Sequence, residues 1–454
     1  MSAMTKQEKM TKEPVKKLVV SLAIPSIISM LITMIYNSAD SFFVSMVSGE
    51  DSATTGSIGV VLSLMSLIQA IGFFFGHGTG NYSSRAFGRG EDDKAKDMAS
   101  TGFFSALIFG VLFSVIAYLL LPEVVTLLGA TPTILPYAIS YAKYIVLAAP
   151  FYMGAYVLNI QLRFEGNASV GTIGIAVGGI LNIVLDAVFI LGLGMGVEGA
   201  GLGTLIGQVV GFGTMLIVKQ RFGLARVELS RFKPSRVLYR EMIGGGLPSL
   251  CRQGLTAIAF ATLCNCAGVY GDSAIAGMSA VNKVMGIGGS LIIGFSQGFQ
   301  PVCGFSYGAG LYDRVREGFV FSVKTGLVML LVISVAGIVF AEDLVRAFAS
   351  DPSAVSFGAT AMRIQCLSFP LASYIVVSNM SLQTMGKTLY ATILSAARQG
   401  LIFIPCVLIL PLFLGELGVQ GSQVVADILT FLISIPIMRD TWREIDKLKK
   451  NVAK

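Results

Sequence analysis

Apolar segments of about 20 residues or more recur along the whole of this 454-residue chain, and each is long enough to carry a helix across the ~30 Å hydrocarbon layer of a bilayer. No water reaches that layer to satisfy a backbone N–H or C=O, so a spanning segment must close its own hydrogen bonds. Long apolar runs do this as helices, and the fold class expected is an all-α polytopic membrane protein. Charged residues make up 13% of the chain and apolar residues 54%, against roughly 25% charged in soluble domains. Mean hydropathy is +0.76. The first apolar run is long enough to span and lacks a small-residue cleavage site, so it is expected to be a span and not a cleaved signal. Six cysteines (Cys251, Cys264, Cys266, Cys303, Cys366 and Cys406) fall in or beside apolar segments of the second half. They read as small buried hydrophobes, with no pattern of a disulfide framework or zinc site.

We count twelve spans, starting near Leu18, Thr54, Met98, Pro136, Val170, Gly199, Glu241, Ala274, Val320, Phe357, Tyr390 and Val419. Basic residues gather in alternate loops. Lys6, Lys9, Lys12, Lys16 and Lys17 precede the first span, Arg85, Arg89, Lys94 and Lys96 follow the second, and Arg163 follows the fourth. Lys219, Arg221, Arg226, Arg231, Lys233, Arg236 and Arg240 fill the middle linker, Arg314 and Arg316 follow the eighth span, and Lys387 follows the tenth. The remaining loops carry Glu50, Asp51, Glu123, Glu198, Asp272, Glu342, Asp343, Asp351 and Glu416, with Arg346 as their only base. The positive-inside rule then places both termini and the linker in the cytoplasm. The net charge of +7 follows from this bias and from a basic face beside anionic membrane lipids, so no nucleic-acid partner is expected.

The two halves resemble each other. At an offset of 222, Gly72, Phe73, Gly76 and Gly88 match Gly294, Phe295, Gly298 and Gly310, and Gly196, Val197 and Gly199 match Gly418, Val419 and Gly421. At 223, Pro25-Ser26 aligns with Pro248-Ser249. Six spans per half is an even number, so the repeat is parallel: two six-helix lobes related by a pseudo-two-fold axis along the membrane normal. The organisation expected is a cytoplasmic segment (1–17), an N-lobe (18–220), a linker (221–240), a C-lobe (241–440) and a basic tail (441–454).

Two carboxylates interrupt the apolar runs. Asp40 closes the stretch 18–47, and Asp186 lies in the stretch 170–193, one helical turn after Asn182 and on the same helix face. A charge at the centre of a spanning helix costs about 2.5–3.5 kcal/mol on the lenient insertion scale, and such residues mark ion or substrate pathways. The plainer reading is a set of satisfied polar contacts between helices.

The twelve-span pattern, Pro25, Asp40, the run from Asn182 to Asp186, the run from Gly196 to Gly199 and the segment from Gln297 through Gly310 together resemble the multidrug and toxic compound extrusion (MATE) family, in its MepA-like bacterial branch. The resemblance covers nearly the whole chain. It implies a cation site in the N-lobe formed by Asp40, Asn182, Asp186 and Thr204, with Tyr36 and Asn159 as a supporting network. Carboxylate, amide and hydroxyl oxygens suit a small hard cation such as Na+. The same carboxylates suit protons, because burial and a like-charged neighbour raise a carboxylate pKa. For Thr204 alone, a bond to its own helix backbone is the competing reading.

The C-lobe differs. Acids that some members of the family carry in the seventh and tenth helices have no counterpart, and Arg252, Lys283, Arg363, Arg398 and a lone Asp427 stand in its apolar runs. Asp427 is expected to pair with one of the arginines; structural ion pairing and contact with substrate both remain open. Pro25 and Pro248 free a carbonyl and bend their helices. Gly199, Gly203, Gly207 and Gly211 form a small-residue stripe that lets helices approach. The run from Gly76 to Gly80 around His77 ends a span and is no nucleotide loop.

The function these features imply is a Na+- or H+-coupled antiporter that exports drugs and other amphipathic, often cationic, small molecules from the cytoplasm by alternating access. It is expected to be a monomer in a bacterial inner membrane, without a cofactor and not an enzyme, since no nucleotide fold or catalytic triad is present. A lipid-linked precursor flippase or a narrow metabolite exporter of the same superfamily is the alternative. A membrane scaffold or receptor would leave Asp40 and Asp186 without a purpose.

Overall fold

The computed structural model describes residues 6–48 and 52–452, without the side chains of residues 6, 36–42, 44–48, 52–55, 451 and 452. All regular structure among the described residues is helical. The first half runs α1 (Lys6–Lys12), α2 (Val15–Ser48), α3 (Ser52–Gly88), α4 (Asp92–Leu119), α5 (Leu121–Leu127), α6 (Leu135–Phe164), α7 (Ala168–Asp186) and α8 (Gly196–Phe222). The second runs α9 (Arg236–Gly268), α10 (Asp272–Gly308), α11 (Tyr312–Val339), α12 (Ala341–Arg346), α13 (Pro352–Ser368), α14 (Leu371–Thr384), α15 (Thr388–Ala396), α16 (Phe403–Leu414) and α17 (Glu416–Val452).

Ten of the described helical segments are long and apolar enough to cross a membrane, and α13 with α14 forms an eleventh span bent by 59°. α9 is 33 residues long, or about 50 Å at 1.5 Å per residue. Its charged residues Arg236, Arg240, Glu241 and Arg252 keep it out of that set. The bend in the tenth span, unforeseen in the sequence, falls at Phe369-Pro370: proline cannot donate to the turn before it, and its ring crowds the carbonyl four residues back.

The helices set the repeat at 220 residues and not 222. α4 and α11 are both 28 residues long and begin at 92 and 312, α6 and α14 end at 164 and 384, and α7 and α15 begin at 168 and 388. The turns agree: Gly90 (φ +76) answers Gly310 (φ +72), and Gly166 (φ +78) answers Gly386 (φ +81). These turns need a left-handed residue, which glycine supplies without strain. By contrast, Gly88 ends α3 whereas Gly310 lies beyond α10, so the glycine matches at 222 join positions of different kind.

Two compact units result, one of residues 28–250 and one of residues 1–27 with 251–454. Each of α2 and α9 is divided between them two residues past its proline, Pro25 or Pro248. In the first unit α6 is central, packed on α3, α4 and α8, with α7 against α8. In the second, α10 packs on α11, α13 and α14, and α17 on α13, α14 and α16. Lipid tails are as apolar as leucine, so helix association rests on close packing of small residues. The run around His77 is an instance: a Cβ at Gly76 would meet Ile160 at 2.5 Å, and one at Gly80 would meet Phe164 at 2.2 Å. His77 itself is buried, with Nδ1 3.1 Å from the Phe73 carbonyl and its ring stacked on Phe73.

Lys219, which the sequence places among the linker charges, is instead fully buried in an ion pair with Glu165. The linker that follows is bound to the first unit. Glu165 accepts the backbone N–H of Leu224 at 2.8 Å, Arg231 pairs with Asp93 and Asp97, and Lys233 pairs with Asp97. Of the cysteines, Cys303 and Cys366 are buried, whereas the other four are only half-buried; all six are free thiols.

Candidate functional site

α7 and α8 are brought together by glycine. A Cβ at Gly207 would lie 2.9 Å from the Gly178 carbonyl oxygen, and one at Gly203 would lie 2.6 Å from Asp186 Oδ1. The small-residue stripe of α8 therefore lies against α7, and Thr204 beside it reaches the Asn182 side chain. The Asn182 amide Nδ2 donates to Asp186 Oδ1 and to Thr204 Oγ1, each at 3.3 Å. Relative exposures are 3% for Asn182, 0% for Asp186 and 2% for Thr204, so the group is sealed from solvent within its lobe. Asp186 is the last residue of α7, and a π-helical turn (Ala187–Gly192) follows it; such turns recur at functional sites.

The Asn182 carbonyl oxygen Oδ1 has no hydrogen-bond partner among the described residues. Turning the amide over exchanges Nδ2 and Oδ1. The Asn182 oxygen then stands about where Nδ2 did, near Asp186 Oδ1 and Thr204 Oγ1, and carboxylate, amide and hydroxyl oxygens are the kinds of donor a small hard cation takes. With the amide as it stands, Nδ2 holds the other two oxygens by hydrogen bonds.

Of the other N-lobe candidates, Asn159 is 6% exposed and donates to the Gly171 carbonyl oxygen at 2.8 Å, tying α6 to α7 outside the trio's own hydrogen bonds. Tyr36 and Asp40 fall on α2, and their side chains lie outside the described residues.

In the C-lobe, three of the five charged candidates line one cavity of about 270 Å3: Arg252, Arg398 and Asp427. Arg398 Nε donates to Asp427 Oδ1 at 2.9 Å, and Gln423 Nε2 donates to the same oxygen at 2.9 Å. Arg252 Nη1 donates to Asn379 Oδ1 at 3.3 Å. Arg398 stands in a second π-helical turn (Ala397–Leu401). Lys283 and Arg363 lie elsewhere, Lys283 over the Phe348 ring and Arg363 in an exposed pair with Glu342 at 3.0 Å.

Sequence reasoning missed Asn379 and Gln423. Asn379 was within reach: it stands 220 residues after Asn159, and its Nδ2 donates to the Ala391 carbonyl oxygen as Asn159 does to that of Gly171. Only the offset of 222 concealed it.

The duplication carries through to known proteins. A family profile described as MatE matches residues 25–188 and again residues 248–409. The chain belongs to the MATE family. It is similar to the multidrug export protein MepA of Staphylococcus aureus (strain MRSA252), 25% identical over 430 residues covering 94% of each protein. Among solved structures, the outward-facing conformation of a multidrug resistance MATE family transporter of the MOP superfamily superposes with a TM-score of 0.90 at 25% identity, over 99% of this chain and 100% of that one. A MATE structure in complex with MaL6 matches with a TM-score of 0.89 at 26% identity, over 98% and 100% of the two chains. This MATE chain is accordingly a multi-pass membrane transporter with the family's twelve-span, two-lobed fold.

Proposed function

We propose that this MATE protein exports amphipathic organic compounds from the cytoplasm of a bacterium across its plasma membrane, in exchange for Na+ or H+ bound in the N-lobe. The observation that carries the reading is the Asn182–Asp186–Thr204 group, whose oxygens are clustered and buried away from bulk solvent. The likeness to MepA, a multidrug export protein, supports the export direction, and the basic alternate loops support cytoplasmic termini.

Coupling follows if the cation and the exported compound prefer different states of the carrier. Cation binding from outside favours release of substrate, and release of the cation to the cytoplasm resets the protein. Asn182 supplies the local switch, donating through Nδ2 when the cation is absent and accepting through Oδ1 when it is bound. Exchange of one monovalent drug for one monovalent ion moves no net charge, so a tenfold ion gradient sustains about a tenfold drug gradient, or about 1.4 kcal/mol. Two protons per drug cation would add the voltage, about 2.3 kcal/mol per 100 mV.

The test is efflux of a cationic dye from vesicles under separately imposed Na+ and pH gradients, with Asp186→Asn and Asp40→Asn beside wild type. Flux that follows one gradient and is lost in both variants supports the antiporter and identifies its ion. Flux indifferent to both gradients and to both substitutions refutes it.

A further inference from the structure

Amides line the C-lobe cavity. Six of its side chains are Asn or Gln, and each comes from a different element: Gln253 of α9, Asn282 of α10, Gln365 of α13, Asn379 of α14, Gln399 of the π-helical turn (Ala397–Leu401) and Gln423 of α17. Three are engaged with protein. Asn379 Nδ2 donates to the Ala391 carbonyl oxygen at 2.6 Å, Gln365 Nε2 to that of Gln420 at 3.4 Å, and Gln423 Nε2 to Asp427 Oδ1 at 2.9 Å. The other three, Gln253, Asn282 and Gln399, make no side-chain hydrogen bond among the described residues. The charged groups of the lining have protein partners as well: Arg398 pairs with Asp427 at 2.9 Å, and Arg252 donates to Asn379. The lining thus offers three neutral amides that no protein group has taken.

The duplication does not call for these amides. In the register of 220 the first unit has Leu62, Ile145, Gly179 and Gly203 where the second has Asn282, Gln365, Gln399 and Gln423. Asn379, which ties helix to helix, does keep its counterpart Asn159. An amide within a spanning segment is costly when its N–H and C=O groups have nothing to bond, so three around one cavity call for a hydrogen-bonding occupant, water or solute. Volume and walls favour a solute. About 270 Å3 lies near the lower end of the roughly 300–1,000 Å3 of small-molecule pockets, and Met285, Ile293 and Phe369 give the wall an apolar part. A further pocket of about 50 Å3, walled by Phe260, Leu263 and Phe403, shares Asn282 and Gln399 with it.

We propose that this cavity binds a neutral heterocyclic compound with a donor and an acceptor side by side, the edge of a lactam, a cyclic imide or a purine. Its polar edge meets Asn282 and Gln399, and its apolar faces rest on Met285, Ile293 and Phe369. A primary amide presents a carbonyl acceptor beside an N–H donor, the complement of such an edge, and pairs with it through two hydrogen bonds. The compound needs no charge, and the pair between Arg398 and Asp427 stays intact when it binds. That the bound compound is also an exported one rests on the reading above; that it binds here does not.

Binding is tested on the purified full-length protein in detergent, without gradients and at mildly acidic pH, by fluorescence anisotropy of two uncharged probes. Lumazine carries an imide edge, and 1,3-dimethyllumazine is the same bicycle with both N–H donors methylated. Lumazine is expected to bind saturably above the micelle background and at least tenfold more tightly than its dimethyl analogue. Asn282 and Gln399 hold no protein group, so Asn282→Leu and Gln399→Leu keep the bulk and strand nothing. Each should weaken lumazine at least tenfold while its thermal unfolding stays near wild type. The double variant Asn282→Leu/Gln399→Leu should bind the two probes alike, a comparison made within one folded protein. Equal binding of both probes by wild type, no saturable binding of lumazine, or an undiminished preference in the double variant overturns the proposal. Loss of dye export with lumazine binding intact would refute the export reading and leave this one standing.

Discussion

The pair between Lys219 and Glu165 should be the costliest charge contact in the molecule to break. Its side chains are 0% and 1% exposed, so removing one partner leaves a charge that neither water nor another ion reaches. Such breaks cost about 3–5 kcal/mol. The two ends are not equivalent. Glu165 also accepts the backbone N–H of Leu224 at 2.8 Å and of Ala225 at 3.4 Å. Lys219→Met leaves a carboxylate that keeps both donors, which puts it near the lower bound, about 3 kcal/mol. Glu165→Ala strands the ammonium and both amides, which puts it at about 5 kcal/mol or beyond. The double substitution Lys219→Met/Glu165→Gln removes both charges and keeps an acceptor for the amides, and it should lie within about 1 kcal/mol of wild type. SDS-titrated unfolding in mixed micelles, followed by circular dichroism, gives all three values. The reasoning fails if both single variants lie within 1 kcal/mol of wild type, or if the double variant is as unstable as Glu165→Ala. The contact also has a functional setting, since it pins the first residues of the linker that joins the two repeats.

Two further outcomes rest on other parts of the fold. Gly203→Ala places a Cβ 2.6 Å from Asp186 Oδ1, whereas a Cβ at Gly213 on the same helix meets nothing within 4 Å. Gradient-driven flux should therefore fall at least tenfold in Gly203→Ala and stay at wild type in Gly213→Ala, and equal flux in the two would sink the assignment. Asp351 caps α13: its carboxyl is held below the usual carboxylate range by the Ser273 hydroxyl first, and then by the backbone N–H groups of Ala354 and Ser353. A lowered folded value means that its stabilisation is complete at neutral pH and fades as pH drops below about 4. The gap in thermal midpoint between wild type and Asp351→Ala should shrink over that interval, and a gap constant from pH 7 to pH 3 would contradict the capping role.

The membrane class, the twelve spans and the Asn182–Asp186 pair on α7 were legible because each follows from a local pattern, whereas Thr204 on α8 came only from the resemblance to the MATE family. A run of apolar residues states its own length, and a carboxylate among them states its own cost. Spacing of four on one helix puts Asn182 beside Asp186 with no knowledge of the rest of the chain. What was hidden depends on contacts between distant segments. Lys219 reads as one more loop base until Glu165, 54 residues away, is seen to meet it. The bend at Phe369-Pro370 needs the neighbouring helices to decide whether proline kinks a span or ends it. The register slipped by two because some of the glycines compared had different duties: Gly310 makes a left-handed turn where Gly88 ends a helix, and Gly196 a left-handed turn where Gly418 lies within one.

The corrected register also changes what the duplication means. Asn159 and Asn379 make the same bond to the backbone of the helix that follows, to Gly171 and Ala391, each 12 residues on. Each lobe also interrupts the next helix with a π-helical turn, but at a different place: in the register of 220, Asp186 answers Cys406 and Arg398 answers Gly178. A π turn adds a residue to the helix and re-aims the side chains around it. The acidic group of one lobe and the basic group of the other are therefore separate features of a shared scaffold and not copies of one duplicated position.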